Sequence, residues 1–489
     1  MDRFYIIVVT LLLSGAFTLR AGSMPLTLAE TISRARASSL EAAVALDRLR
    51  TSYWEYRSYR ASLLPEVTFR GSLPTYRKQY STYMNAEGEY SFVANHYMQL
   101  NGEFSVTQSI WPTGGTLGLT TSIDFLRQFS GEPYNRFMSI PVALTLSQPI
   151  FGVNETRWSR RIEPVRYREA QAAFLSASED VAISAINYYF SLLMSRENLA
   201  IARQNLSNAE KLHEVAIEKR EMGQISKNDL LQMELNLLDA RSALTDCETS
   251  LRTSAFQLLT FLGIDEDEEL LPEVPPMLPG VDIPFDVAYA KALDNNQFAH
   301  NQLRTQLEAD YAVSQAKGAM RSITLFAQIG FTGESHSFDD AYRGLKDNQM
   351  VEIGVEIPLL DWGKRRGKVK VAESNRNVTR TRLNQEAQTF RQNLFVLVER
   401  YSNQRRQLEL AARADTIAAR RYATNVETYL TGRISTLDLN DSRTKKDESR
   451  REYIQALYEF WLYYYQIRSL TLWDFATSSP IDADFDQLL

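Results

Sequence analysis

Few side chains in this sequence are spaced to do chemistry, and those that are come in repeated pairs. Four histidines, His96, His213, His300 and His336, show no metal-ligand spacing. The single cysteine, Cys247, excludes an intrachain disulfide and a zinc cluster, and it reads as a small packing residue in a helical stretch. No phosphate-binding glycine loop or nucleophile constellation is present. The sequence therefore offers no catalytic, cofactor-binding or metal residues, and an enzyme is not expected. What it offers is carboxylates beside turns. Asp229 follows Ser226 by three positions, and Asp438 follows Ser435 by three. That is the spacing of a box that caps helix starts. Asp441 lies a turn too far inward to cap, so its charge is open to another use. Each serine follows a short turn, Gly223 to Ile225 and Gly432 to Ile434, in which glycine permits the left-handed conformation.

These pairs belong to a longer repeat. Gly223, Ile225, Ser226, Asp229 and Arg241 recur 209 positions later as Gly432, Ile434, Ser435, Asp438 and Arg450, and Pro149 recurs as Pro358. A spacing kept from strand to helix without slippage means two copies of one supersecondary unit. In each copy a long run without glycine or proline ends at the turn glycine, as a C-terminal glycine cap predicts. The first covers Val165 to Met222, or starts near Glu155 if Pro164 sits in its first turns; the second covers Lys368 to Thr431. At 1.5 Å per residue, helices of this size would extend about 100 Å. Such helices must pack along others to bury an apolar face. Shorter helices are expected over Leu26–Leu64 (Thr27 capping, Glu30 completing a capping box), Ser226 to about Leu262, Phe285–Lys317, and Ser435 to about Trp473. Stacked end to end, two short helices would match one long one, giving antiparallel coiled-coil pairs.

Between the helices the texture changes to alternation of period 2. Residues 66–151 and 322–359 read as strand regions. In the second, Val351, Ile353, Val355, Ile357 and Leu359 alternate with Glu352, Gly354 and Glu356, so one face suits lipid and the other water. Tyr76, Tyr80, Tyr83, Tyr90, Phe92, Tyr97, Trp111, Tyr134 and Phe137 crowd the first region, as interfacial aromatic girdles do. Isolated strand pairs are not stable in water, but strands pooled across subunits into a closed barrel leave no open edge.

The bulk composition agrees with a folded chain: 489 residues, 44% apolar, 23% charged, 11% aromatic. The net charge of -6 gives no basic footprint for nucleic acid. Residues 1–23 read as a secretory signal, with Arg3, an apolar core over Tyr5–Leu13, and small residues Ala21-Gly22-Ser23 at the cleavage site. No later run is apolar and long enough for a transmembrane helix. The exported chain is thus either soluble beyond the inner membrane or crosses a membrane as β-strands. Residues 24–262 form the first repeat, 263–284 an acidic, proline-rich connector, 285–475 the second repeat, and 476–489 a tail expected to be disordered.

Several segments carry a family resemblance: Leu26-Thr-Leu-Ala-Glu-Thr-Ile, Leu63-Leu-Pro-Glu-Val, Ser147-Gln-Pro-Ile-Phe, Ile357-Pro-Leu-Leu-Asp-Trp-Gly, and above all Gly223-Gln-Ile-Ser-Lys-Asn-Asp-Leu-Leu with Gly432-Arg-Ile-Ser-Thr-Leu-Asp-Leu. Over nearly the whole mature chain the sequence resembles the TolC-type outer-membrane efflux channel family. The resemblance implies a mainly α fold with a β-barrel segment. Two tandem helix-strand-strand-helix-helix repeats would form a homotrimer, with a β-barrel in outer-membrane lipid and a long α-helical coiled-coil barrel in the periplasm of a Gram-negative bacterium. It further implies a passive exit duct for a tripartite efflux pump or a type I secretion system, coupled through a periplasmic adaptor to an inner-membrane pump. It needs no cofactors. By resemblance, Asp438 and Asp441 line the closed constriction, Asp229 and Tyr429 take part in gating, and Gly223, Ile225, Ser226, Gly432, Ile434 and Ser435 form the adaptor-binding tips. An arginine two positions after the second glycine is absent; Ile434 stands there and Arg433 is its neighbour. In a trimer, Asp438 and Asp441 would make a cation-attracting carboxylate ring, whereas Asp229 and Asp438 read alternatively as caps.

One departure stands out. Ala35 aligns with Ala292, Leu46 with Leu303 and Phe69 with Phe326 at a spacing of 257, which leaves 48 extra residues between about Arg70 and Pro149. They contain an apparent hairpin, Met98–Ile110 and Thr116–Gln128 around a Pro112-to-Gly115 turn. Either each protomer supplies six strands, eighteen per trimer against the family's usual twelve, or the hairpin lies outside the wall. A secreted coiled-coil stalk or adhesin is the rival reading, but it leaves the symmetric strand segments without a purpose.

Overall fold

The computed structural model describes all residues except 1–23, 85–87, 265–269, 278–280, 321, 357–359, 431–432 and 435. The expected signal segment and part of the connector therefore lie outside the described residues. In chain order the elements are β1 (Met24–Leu26), α1 (Leu28–Ser38), α2 (Leu40–Ser62), β2 (Glu66–Gly71), β3 (Thr75–Met84), β4 (Tyr90–Ile110), β5 (Gly115–Gln128), β6 (Tyr134–Pro149), α3 (Glu155–Glu221), α4 (Lys227–Leu262) and β7 (Leu270–Pro272). The second half follows with α5 (Phe285–Asn295), α6 (Gln297–Gly318), β8 (Ser322–Ser335), β9 (Lys346–Glu356), α7 (Lys364–Leu430), α8 (Thr436–Thr471), β10 (Trp473–Asp474), β11 (Ser479–Pro480) and α9 (Phe485–Leu488).

The repeat is kept to the residue. Both α3 and α7 have 67 residues, and both α4 and α8 have 36. A spacing of 209 carries all four ends of the first pair onto the second. α3 starts at Glu155 because Asn154 caps it, its Oδ1 accepting the Arg157 N–H at 2.8 Å. Pro164 is carried inside the helix.

The two shorter leading helices differ from expectation: each is broken at one residue. Ser39 and Asn296 are buried and adopt extended backbone angles, and each donates its N–H back to the alanine four residues earlier. Ser39 then restarts α2, its hydroxyl accepting the Ala42 N–H at 3.2 Å. Asn296 instead donates its amide to the carbonyls of Ser469 and Leu470, at 3.3 and 2.9 Å. No glycine or proline marks either break; at Asn296 the side chain bonds carbonyls of the last turn of α8. Thr27 caps α1 as expected, accepting the Glu30 N–H at 3.2 Å. Glu30 itself pairs with Arg34 at 2.8 Å.

The chain divides into two compact units. One comprises the described residues within 24–49, 171–296 and 389–489. Its core is aliphatic and aromatic, with Ala185, Ile186, Tyr189, Leu193, Leu258, Leu394, Ile454, Leu457, Phe460 and Tyr464 buried. β1 and β7 pair in parallel, and the Tyr189 hydroxyl donates to the Leu26 carbonyl at 3.0 Å. Burial raises its pKa to about 12. Residues 476–489 carry the short elements β11 and α9. Glu179, 1% exposed, holds Arg36 at 2.5 Å and Arg468 at 3.1 Å. Arg468 holds Asp474 at 2.9 Å, and Tyr464 donates to the same carboxylate at 2.6 Å. Asp474 anchors the start of the tail by accepting the Ala476 N–H at 2.9 Å, and β10 pairs with β11. Phe485 packs on Phe174.

The other unit comprises residues 50–170 and 297–388. Its helical part is held by Tyr56 stacked on Tyr167 at 4.9 Å and by Arg304, which bonds Glu169 at 2.6 Å and Glu308 at 2.9 Å. Its strands form one antiparallel sheet in the order β2-β4-β5-β6-β8-β9, and β3 pairs with the far end of β4. β2 and β3 thus share one edge of β4, interrupted at Pro74. Val67, Phe69, Val351 and Ile353 are exposed on this sheet, as are Tyr76, Tyr80, Tyr90, Phe92, Trp111 and Tyr134 of the expected aromatic set. Glu352 is exposed and opposes Phe326 on the face away from Val351. The side chains of Tyr83, Val355 and Glu356, and the whole of Ile357 and Leu359, lie outside the described residues. No described helix is long and apolar enough to cross a membrane.

Candidate functional site at the helix turns

Each long helix hands over to its shorter partner through the same backbone turn. At the end of α3, Gly223 has φ 72°. The Gln224 N–H reaches back to the Lys219 carbonyl at 2.8 Å and the Gly223 N–H to Arg220 at 3.0 Å. These two bonds define a Schellman ending, which satisfies carbonyls a helix would otherwise leave open. At the end of α7, the Arg433 N–H reaches the Thr428 carbonyl at 3.1 Å, which is the same bond 209 residues on. Gly432 and Ser435 lie outside the described residues, as does the side chain of Tyr429, whose backbone belongs to the last turn of α7.

Side chains complete the first turn. Ser226 accepts the Asp229 N–H at 3.1 Å, and Asp229 accepts the Ser226 N–H at 3.0 Å and its hydroxyl at 2.7 Å. Hydrogen bonds from the Ser226 side chain and backbone hold the Asp229 carboxyl below its usual pKa. Asp229 is therefore a cap in the free chain. Arg220 donates to the Ile225 carbonyl at 3.0 Å. Gly223 and Ser226 are exposed, and Ile225 is half-buried.

The second turn carries different chemistry. Arg433 is exposed, Ile434 half-buried, and Leu437 79% exposed. Asp438 is exposed. Asp441 accepts a hydrogen bond from Arg421 at 2.7 Å, across from α8 to α7. Both partners are more than half exposed, so such a pair contributes roughly 0.2–1 kcal/mol. It is a contact weak enough to be exchanged. The partner of Asp441 is Arg421. The signal was present in the sequence: the two residues stand eleven before and nine after Gly432, near-equal distances that an antiparallel hairpin brings together.

Further along, polar contacts join the two repeats. Asn205 of α3 donates to Asp447 of α8 at 2.8 Å, and Asn208 of α3 to the Tyr422 hydroxyl of α7 at 2.7 Å. Arg450 of α8 bonds Glu197 of α3 at 3.0 Å and Asp415 of α7 at 3.2 Å. No group of residues that could hold a metal ion is found among the described residues.

A long-and-short helical hairpin repeated twice, on a chain that also folds an amphipathic antiparallel sheet, defines the fold class of outer-membrane channels with a helical part. The family model "Outer membrane efflux protein" matches residues 31–264 and 289–470, and the chain belongs to that family. No curated protein sequence matches it. Solved structures with the same fold include the CmeC outer membrane channel of Campylobacter jejuni, at 17% identity and TM-score 0.65, covering 94% of this chain and 88% of that one. VceC of Vibrio cholerae is similar at 15% identity and TM-score 0.63, with 93% and 97% covered. The outer-membrane channel OprN follows at 14% identity and TM-score 0.64, with 91% and 89% covered.

Proposed function

We propose that this chain is the passive outer-membrane exit duct of a tripartite efflux pump, assembled as a homotrimer and gated at its helix turns in the periplasm. A periplasmic adaptor would engage the turns Gly223–Ser226 and Gly432–Ser435, and an inner-membrane transporter would supply the energy. The observation that carries this reading is the pair of equivalent turns 209 residues apart, one of which sets a carboxylate against an arginine of its own hairpin. Around a three-fold axis, Asp438 and Asp441 would each be present three times, and a ring of carboxylates favours cations. The Asp441–Arg421 pair then acts as a latch holding α8 to α7, and Asp438 carries the selectivity. Tyr429, Arg433 and Asp229 would complete the gate. Small cargo is favoured over secreted polypeptide by the family description alone.

Single-channel conductance in planar bilayers tests this directly. The wild type should show small, cation-selective openings, and Asp438→Ala/Asp441→Ala should lose cation selectivity. Unchanged openings would leave Asp438 as a helix cap and Asp441 as a structural partner of Arg421. No conductance from well-folded protein would favour a stalk.

A further inference from the structure

We infer that the barrel built by this chain and two further copies of it has eighteen strands, because the inserted hairpin β4–β5 is part of the wall. The count of three copies rests on the trimer proposed above; the six strand positions per chain do not.

Three independent observations place β4 and β5 in the wall. First, they sit inside the sheet: β2 reaches β6 only through them, with β4–β5 paired over fourteen residue pairs without a shift. A hairpin outside the wall would leave β2 beside β6. Second, the two faces run unbroken across the insertion. Val67, Val106, Leu119, Leu144 and Ile329 oppose one another in one row across five strands. The neighbouring row, on the other face, is Thr68, Ser105, Thr120, Ala143, Gly330 and Asn348 across all six. Val67, Leu119, Leu144 and Ile329 are exposed. A continuous apolar band facing out and small or polar residues facing in is the pattern of a membrane barrel. An extramembrane hairpin has no reason to continue it.

Third, the lower turn of the insertion is fastened where the strands give way to α3. Asn154, the cap of α3, donates its side-chain amide to the Trp111 and Pro112 carbonyls at 2.9 and 3.1 Å. Gln148 donates to the Thr113 carbonyl at 3.0 Å, and the Arg160 guanidinium lies 4.1 Å over the Trp111 ring. Gly114, at φ 76°, brings the turn so close that an added Cβ would meet Asn154 at 3.0 Å. The extra hairpin ends level with the wall.

Among the described residues, one edge of the sheet is β2 with β3 and the other is β9. A sheet with an apolar outer face cannot keep open edges in lipid. The occupant that fits is a second copy of this chain: six is even, so β9 of one copy meets β2 of the next antiparallel and the alternation closes. Diameter grows roughly linearly with strand number, so the bore would be about half again that of a twelve-stranded duct.

Strand counting in three-fold averaged cryo-electron micrographs of the full-length protein in lipid nanodiscs tests the inference. Eighteen strands are expected. Twelve, with β4–β5 projecting, would overturn it and leave the efflux duct standing. A second measurement uses nitroxide labels at Val106, Leu119 and Ile329, one at a time in a Cys247→Ser background, in phosphatidylcholine vesicles. All three should be quenched by oxygen rather than by water-soluble nickel chelate. Water accessibility at Val106 and Leu119 with lipid accessibility at Ile329 would put the hairpin outside the wall. Water accessibility at all three, or a mass other than three chains, would remove the trimeric barrel itself.

Discussion

The two hairpin turns share a backbone and differ in what their side chains do with it. At the α3–α4 turn, Asp229 is closed on Ser226, and the positions matching Arg421 and Asp441 are Leu212 and Gln232. Gln232 bonds along its own helix, to Asn236 at 3.2 Å. At the α7–α8 turn, an exposed ion pair ties the two helices together. The repeated arginine has diverged as well. Arg241 is exposed and only 4.0 Å from Glu210, whereas Arg450 is half-buried between two carboxylates. Duplication thus keeps the helix lengths, which set where the turns fall, and frees the charges, so that one hairpin can specialise in holding and the other in capping.

That contrast can be broken by measurement. The largest effect is expected at the latch. Arg421→Ala should raise open probability in planar bilayers severalfold, while Gln232→Ala at the matching position should leave it unchanged. Equal responses would mean that the ion pair does not distinguish the turns. Next comes the repeated arginine: Arg450→Ala strands two part-buried carboxylates and should cost about 2 kcal/mol in chemical denaturation. Arg241→Ala should stay within about 0.5 kcal/mol. A smaller change is expected from Gly223→Ala. Nothing would touch the new Cβ, so only the left-handed backbone is penalised, at about 1 kcal/mol. The smallest concerns Asp229, whose folded pKa is lowered by Ser226. A depressed carboxylate stabilises the fold above its unfolded pKa near 4, and that contribution fades as pH falls through the folded value. Asp229→Asn should therefore lower the thermal midpoint more at pH 7 than at pH 3. An equal drop at both values would assign the effect to lost hydrogen bonding rather than to charge.

Much of this was legible in the sequence because helix length is written in a periodic, gap-free code. The turn at Gly223, the cap at Ser226 and the spacing of 209 all follow from residue types alone. The breaks at Ser39 and Asn296 were not legible, since what stabilises the second is a pair of carbonyls some 170 residues away. The cluster at the end of α8 was hidden for the same reason: Asp474 is defined by Arg468 and Tyr464, and a lone aspartate does not announce a buried partner. Arg421 stands about three helical turns from the glycine, and only the hairpin, which pairs residues at near-equal distances from its turn, brings it to Asp441.

The equal lengths of α3 and α7 have a consequence for how such a chain can change. One residue inserted into either long helix rotates everything beyond it by about 100°. An insertion between Arg421 and the turn would swing Arg421 off the flank that meets Asp441, and one before Asn205 would turn Asn205 and Asn208 away from their partners. Single-residue insertions and deletions should therefore be purged from these helices although point changes on their outer faces pass freely. Length can drift only in blocks that restore the angle, and only if both copies drift together. The strand loops carry no such phase, and it is there that this chain has taken on its extra residues.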